Sequence, residues 1–372
     1  MDHSGLNPEV TLLACPACGM AYNEVPDPAA LNAYYMKNAV TAHCQGGDAR
    51  PTEAELQDQA AVFKTVEPWL KSQGGLWADV GCGRGGLLFY LRNQGLKNLL
   101  GLDLSVACLD YLRSQGLMAV SSGVDNLPLA EASVDVLSYC QVWEHVYDLN
   151  GLMRAARRAL KPEGLIFVEV PDAEAYGRSP RNNCFQWLIP EHINHFDSRR
   201  LALALTLGGF ELIAAGRRQA NRNTPADFPV AWALARPAPG RAQDLKAPAG
   251  DQTLSENLKL QIQANFEYAR PRAEEINRIA ASGRPVWLWA LSAAFWYFYG
   301  ETDLRQANIK ALIDINENFS AHTLDGRPIL QPPALSRADK EDLAILFSHT
   351  QRPHMESFLN ETGFAGQILP LV

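Results

Sequence analysis

The chain has 372 residues, 47% of them apolar and 20% charged, which suits two or three globular domains and excludes both a single small module and a disordered chain. Lys and Arg total 33 against 41 Asp and Glu, a net charge of −8 with no basic stripe, so nucleic acid is not an expected partner. No stretch approaches the ~18 consecutive apolar residues of a membrane span, and the first ten residues have no leader pattern, so a soluble, cytoplasmic chain without a membrane partner is expected.

Residues 1–50 form a cysteine module. Seven cysteines make an odd set, and most fall inside helix and strand patterns, which argues against a disulfide framework. Cys15 and Cys18 stand in Cys-Pro-Ala-Cys-Gly, a spacing that suits two thiolates on one metal ion. Zinc needs about four ligands, and Cys44 with His43 or His3 would complete the set. The alternative is a vestigial turn with free thiols.

Residues 51–240 form the next domain. Leu56, Ala60, Phe63, Val66 and Leu70 recur at helical spacing, with Thr52 as N-cap. Beyond them LWADV, LLGLDL, VDVLSYC and LIFVEV read as strands, separated by helical patterns at 85–94, 105–115 and 149–160. This alternation predicts βαβ units and a parallel sheet covered on both faces. Residues 237–252, rich in Ala, Pro and Gly, read as a linker. A second, smaller α/β domain is expected over 253–372, with a long helix at 253–282 and strands at PVWLWAL, NIKALIDI, EDLAILF and GQILPLV. Its aromatic run, Trp296 to Tyr299, fits a helix core better than a stacking platform.

The densest chemical signal is Asp79-Val-Gly-Cys-Gly-Arg-Gly-Gly86, between a strand and a helix. Glycine allows a sharp turn and close approach to a ligand, and the helix start presents unpaired N–H groups. The next strand ends in Asp103-Leu104, about 20 residues on, where a carboxylate can accept both hydroxyls of a ribose. Together with Asp125-Asn-Leu-Pro, Trp143-Glu-His-Val and Leu160-Lys-Pro-Glu-Gly, this region resembles class I S-adenosylmethionine-dependent methyltransferases over about residues 55–215. The resemblance implies a Rossmann-like domain with a mostly parallel seven-stranded sheet. It places the methionine part of the cofactor over Gly81, Cys82 and Gly83, and its amino group near Asp79. The ribose falls at Asp103 and Leu104, the adenine near Asp125, and Gln141 at the pocket edge.

A second polar cluster runs Glu191-His192-Ile-Asn194-His195. A neutral histidine beside a carboxylate is the usual general base near pH 7. His192 with Glu191 is therefore the candidate catalytic pair, with His145 as a further candidate. Glu144, Asn194 and His195 are candidate substrate contacts. The whole arrangement resembles the three-domain sugar C-methyltransferases, which combine an N-terminal zinc module, a middle methyltransferase domain and a C-terminal Rossmann-like domain. In that family a Tyr-x-Glu-His motif carries the base; here Ile189 replaces the tyrosine. The family's WGAG loop appears as Trp289-Ala-Leu-Ser, without glycine. The resemblance implies C-methylation of a small polar acceptor, a sugar nucleotide or related natural product, by a monomer or homodimer. An O- or N-methyltransferase and a non-catalytic scaffold are the alternatives.

Overall fold

The structure, a computed structural model, describes residues 10–25, 27–31, 53–72, 74–176, 187–220, 228–238, 251–316, 319–320, 322–349 and 351–372. His43, Cys44, the Thr52 cap and most of the expected linker lie outside these residues.

A short hairpin comes first, formed by β1 (Leu12–Ala14) and β2 (Ala21–Asn23). Helix α1 (Glu53–Val66) follows, and then the alternation expected from sequence: β3 (Trp77–Val80), α2 (Gly86–Asn93), β4 (Leu99–Asp103), α3 (Val106–Ser114), β5 (Met118–Ser121), β6 (Val134–Cys140), α4 (Leu149–Ala159) and β7 (Leu160–Pro171). A two-residue strand, β8 (Asn194–His195), helix α5 (Ser198–Leu207), and the long strands β9 (Phe210–Ala220) and β10 (Phe228–Pro237) complete this part.

The seven-stranded sheet has the order β5-β4-β3-β6-β7-β10-β9. Strands β3 to β7 pair in parallel, whereas β10 runs antiparallel to both of its neighbours. All four residues of β3 are buried, the pattern of a strand covered on both faces. One core packs α1, α2 and α3 on one face through Phe63, Leu88 and Leu112. The other packs α4 and α5 on the opposite face through Leu152, Ala156 and Leu205. Each fully buried leucine or phenylalanine here contributes roughly 1.5–3 kcal/mol. At Gly101, in the middle of β4, the helix layer lies close on the sheet: a Cβ there would stand 2.8 Å from Cys82 Sγ and 3.0 Å from Leu88 Cδ1.

Contacts divide the chain into Met1–Tyr176 with Pro190–Leu258, and Gly177–Ile189 with Lys259–Val372. Helix α6 (Thr253–Ser282) runs across the second boundary. The second unit holds β11 (Val286–Trp289), α7 (Ala293–Glu301), β12 (Ile309–Ile313), β13 (Thr323–Leu324), β14 (Arg327–Leu330), β15 (Leu343–Leu346), α8 (Arg352–Glu361) and β16 (Gln367–Pro370). Its sheet order is β13-β14-β12-β11-β15-β16, with β13 antiparallel and the rest parallel. Phe295, Phe298 and Tyr299 are fully buried in its core, so the aromatic run is packing.

The structure corrects two expectations. Strands β1, β2, β5, β8, β9, β10, β13 and β14 were not singled out from the sequence; β9 mixes half-buried and exposed residues because it lies at the sheet's edge, with β10 between it and β7. Among the described cysteines, Cys15, Cys18, Cys82 and Cys140 form no disulfide, but Cys108 is disulfide-bonded, which the sequence did not suggest.

Candidate functional site

The glycine loop leaves β3 at its carboxyl end, where open parallel sheets bind ligands. Gly81 (φ 72°) and Gly83 (φ 49°) take the left-handed conformation that side chains disfavour. The N–H groups of Gly81 and Cys82 donate to the Leu102 carbonyl at 2.7 and 3.1 Å, which ties the loop to β4. The two glycines differ in surroundings: a Cβ at Gly81 would lie 2.5 Å from Val142 Cγ2, whereas one at Gly83 would meet nothing within 4 Å. Gly83 therefore presents bare backbone to open space.

Asp103, the last residue of β4, organises the loop. Its Oδ2 accepts from Gly83 N and its Oδ1 from Ser105 N, each at 2.8 Å. Both oxygens keep a further lone pair for a ligand hydroxyl. Asp79 is 4% exposed and accepts from Ser138 Oγ at 2.6 Å, and Ser138 Oγ in turn accepts from Trp77 Nε1 at 2.9 Å. Burial pushes the Asp79 carboxyl up to about 7, with the Ser138 hydrogen bond opposing and the Asp103 charge reinforcing. Cys82 turns its thiol inward against Gly101, and burial holds that thiol far above its usual range. Leu104 is 37% exposed beyond Asp103, and Asp125 is exposed on the segment after β5.

The second part of the site begins where β6 ends. Gln141 has φ 58°, a strained value for a residue with a side chain, and its N–H donates to Glu169 O at 2.8 Å. The chain then turns over the sheet edge, with Val142 against Gly81 and a single 3₁₀ turn at Trp143–His145. Trp143 is fully buried and packs edge-on against Tyr139, which anchors the turn. Asn194 Nδ2 locks it from outside by donating to the carbonyls of Trp143 and Val146 at 3.0 and 2.7 Å.

This turn and the segment after β7 bring Glu144, His145 and His192 together, each offering one ligating atom within 4.8 Å of the others. The His145 and His192 rings meet edge-to-face at 4.9 Å. His145 Nδ1 donates to Glu191 O at 2.9 Å, which sets the tautomer, and its Nε2 lies 3.9 Å from Glu144 Oε1. Glu144 is 1% exposed, and burial pushes its carboxyl up to about 8. The nearby buried Glu169 differs, because Arg218 grips both of its oxygens at 2.8 Å and also reaches Asp58 at 2.7 Å. Among the described residues the one basic group within ion-pair distance of Glu144 is the His145 imidazole, which carries charge only when protonated.

Asn194 and His195 are thus placed as supports. His195 has no exposed surface; Tyr176 OH donates to its Nδ1 at 3.4 Å, and its Nε2 donates to Asn23 Oδ1 at 3.0 Å. Burial holds it neutral, down to about 3. Asn23 of β2 was not singled out from the sequence. Its Nδ2 donates to His192 O at 2.9 Å and its N–H to Ile193 O at 2.7 Å, so the N-terminal hairpin fixes the backbone on which His192 sits. Strand β8 pairs with β2 for the same reason. No local signal marked this asparagine, because its partners are 169 to 172 residues away.

Cys15 and Cys18 occupy a tight turn closed by Gly19 N to Cys15 O and Cys15 N to Met20 O, both 2.8 Å. Hydrogen bonds from the backbone N–H groups of Cys18 and Ala17 lower the Cys15 thiol, with the Cys18 thiol adding to the effect, while burial raises Cys18. The geometry fits two of the four donors of a zinc site; His43 and Cys44 lie outside the described residues. For S-adenosylmethionine the fit is closer, given the open backbone at Gly83 and the spare lone pairs of Asp103.

Comparison with known proteins agrees. Residues 55–215 match the family described as a methyltransferase domain, and this segment is a class I S-adenosylmethionine-dependent methyltransferase domain. The chain is 30% identical over 156 residues to the ubiquinone biosynthesis O-methyltransferase of Bordetella avium, covering 38% of this chain and 61% of that one. It is 28% identical over 113 residues to the tRNA U34 carboxymethyltransferase of Campylobacter hominis, covering 29% and 40%. The chain thus spans less than two thirds of the length of these relatives. Among solved structures it is similar to the 1,6-didemethyltoxoflavin-N1-methyltransferase of Burkholderia thailandensis, 19% identical with a TM-score of 0.45, covering 59% of this chain and 96% of that one. The family match and the curated relatives support the methyltransferase domain and not the narrower likeness to sugar C-methyltransferases. Among the described residues, no helix is long and apolar enough to cross a membrane.

Proposed function

We propose that the chain transfers the methyl group of S-adenosylmethionine to a hydroxyl oxygen of a small polar acceptor. The observation that carries this reading is the cluster of Glu144 and His145, on a turn whose Val142 packs directly on Gly81 of the glycine loop, with His192 from the segment after β7. The bound cofactor supplies an electrophilic methyl group on a cationic sulfur. Gly81, Cys82 and Gly83 hold its methionine part, Asp79 its amino group, Asp103 and Leu104 its ribose, Asp125 its adenine side and Gln141 the pocket edge. The cluster draws off the acceptor's proton, and positioning of the acceptor oxygen supplies most of the remaining rate.

An oxygen acceptor is supported by the B. avium relative's name and by Ile189, which replaces the tyrosine that the C-methyltransferase resemblance requires. The net charge of −8 disfavours a tRNA acceptor. For the N-terminal turn we infer a structural zinc ion on Cys15 and Cys18, tested by elemental analysis before and after Cys15→Ser. The main test is turnover of His192→Ala on a panel of hydroxylated acceptors, with S-adenosylhomocysteine affinity measured in parallel. Turnover is expected to fall at least about 100-fold with affinity unchanged; wild-type turnover would remove the cluster from the reaction.

A further inference from the structure

We propose that Glu144, His145 and His192 form a binding site for a divalent first-row metal ion of the Mn²⁺, Fe²⁺ or Zn²⁺ class. The inference rests on the methyl-transfer reading and states how the cluster acts on the acceptor's proton.

Two imidazoles and one carboxylate are the donor set that such ions take while keeping positions open for a substrate. Three observations carry the assignment. First, the ligating atoms already converge within 4.8 Å, and a metal with bonds of about 2.0–2.2 Å closes that gap by small side-chain rotations. Second, Glu144 Oε2 is buried without a hydrogen-bond partner. A buried carboxylate oxygen in that state is costly unless a cation or proton meets it. Glu169, on the neighbouring strand, has its cation in Arg218; Glu144 lacks an equivalent among the described residues. Third, His145 Nδ1 donates to the Glu191 carbonyl, the outer hydrogen bond that fixes a metal-binding histidine, and this turns the Nε2 lone pair toward Glu144. The His145 side chain is 30% exposed, which gives an ion and an acceptor a way in.

The chemistry follows directly. An acceptor hydroxyl bound at an open position becomes more acidic and releases its proton to water. The resulting oxygen takes the methyl carbon as the carbon–sulfur bond breaks, and that bond's electron pair remains on sulfur as the neutral thioether.

The test uses the full chain, stripped with chelator and titrated with Mn²⁺, which favours oxygen and nitrogen donors over the thiolates of Cys15 and Cys18. One equivalent is expected to bind, with ¹⁴N coupling from two imidazoles in pulsed electron paramagnetic resonance. Glu144→Gln should weaken binding by about 100-fold, and His192→Asn should remove one nitrogen coupling. S-adenosylhomocysteine calorimetry on the same samples reports whether each variant is folded. A wild-type chain that binds S-adenosylhomocysteine but takes up no Mn²⁺ at millimolar concentration overturns the metal site and leaves the methyltransferase reading intact. Uptake that Glu144→Gln leaves unchanged overturns it as well. A chain that binds neither ligand overturns both.

Discussion

The chain contains two strand-loop-helix units built on one hydrogen-bond plan. In the first, Gly81 (φ 72°) donates its N–H to Leu102 O, and Asp103 accepts from Gly83 N and Ser105 N. In the second, Ala290 (φ 76°) donates to Ile313 O, and Asp314 accepts from Leu291 N and Asn316 N at 2.8 and 2.9 Å. The units part at the side chains. Gly83 leaves bare backbone against open space, whereas Leu291 and Ser292 fill the second loop. Ser292 caps α7 by accepting from Phe295 N and donates its own proton to Phe347 O. In both units, then, an aspartate at a strand end grips the adjoining loop, and the open backbone at Gly83 is where the two loops differ.

The sharpest way to break this comparison is to remove each aspartate in turn. Asp103→Ala should weaken S-adenosylhomocysteine binding by about 100-fold, the loss of two hydrogen bonds to a charged group at ~1.5 kcal/mol each. Asp314→Ala should leave that affinity within about twofold and lower unfolding stability by ~1–3 kcal/mol. Calorimetry and urea denaturation read the two effects, and equal losses of affinity would end the distinction.

Asp79 gives the next largest effect, since its environment has no counterpart in the second loop. Its carboxyl titrates near pH 7 in the folded chain, well above its unfolded value of 3.8, so ionisation opposes folding. Stability from this group is full below pH 3.8, declines as pH rises to about 7 and levels off above it. An ammonium ligand favours the ionised form, so affinity for S-adenosylmethionine should rise by up to about tenfold per pH unit below pH 7 and flatten above. Asp79→Asn should abolish that slope and stabilise the free protein at pH 8 by ~1–3 kcal/mol. A pH-independent affinity in the wild type would count against Asp79 as the ammonium partner.

The smallest effects come from two of the positive-φ positions, Ala290 and Gly83. Ala290→Gly should raise stability by ~0.5–1 kcal/mol by relieving strain. Gly83→Ala should lower it by about as much and weaken cofactor binding by roughly tenfold. Thermal melts and calorimetry check both, and a stabilising Gly83→Ala would show that the loop is not held as described.

The parts that were legible in sequence share a cause. Asp79, Gly81, Gly83 and Asp103 act through neighbours one strand away, and their spacing is written into the chain. The predicted helices at 105–115 and 149–160 match α3 and α4 because Ser105 and Asp148 cap them locally. Glu144, His145, Glu191 and His192 were readable as residues but not as a cluster, because 46 residues separate His145 from its partner Glu191. Asn194 and His195 looked like substrate contacts, since a polar run carries no sign of which way each side chain faces. Asn23 and the Arg218–Glu169–Asp58 network carried no local signal; only the folded sheet brings them together.

The hairpin that holds His192 has a consequence for folding order. Asn23 reaches across some 170 residues to clamp the backbone at positions 192 and 193, one of the contacts of highest contact order in the first unit. Such contacts carry a large loop-closure entropy and form late. The nucleotide loop and its aspartate, by contrast, close within about 25 residues of chain. The domain is thus expected to acquire its cofactor grip early in folding and its proton-handling chemistry last, when the beginning of the chain docks against its middle.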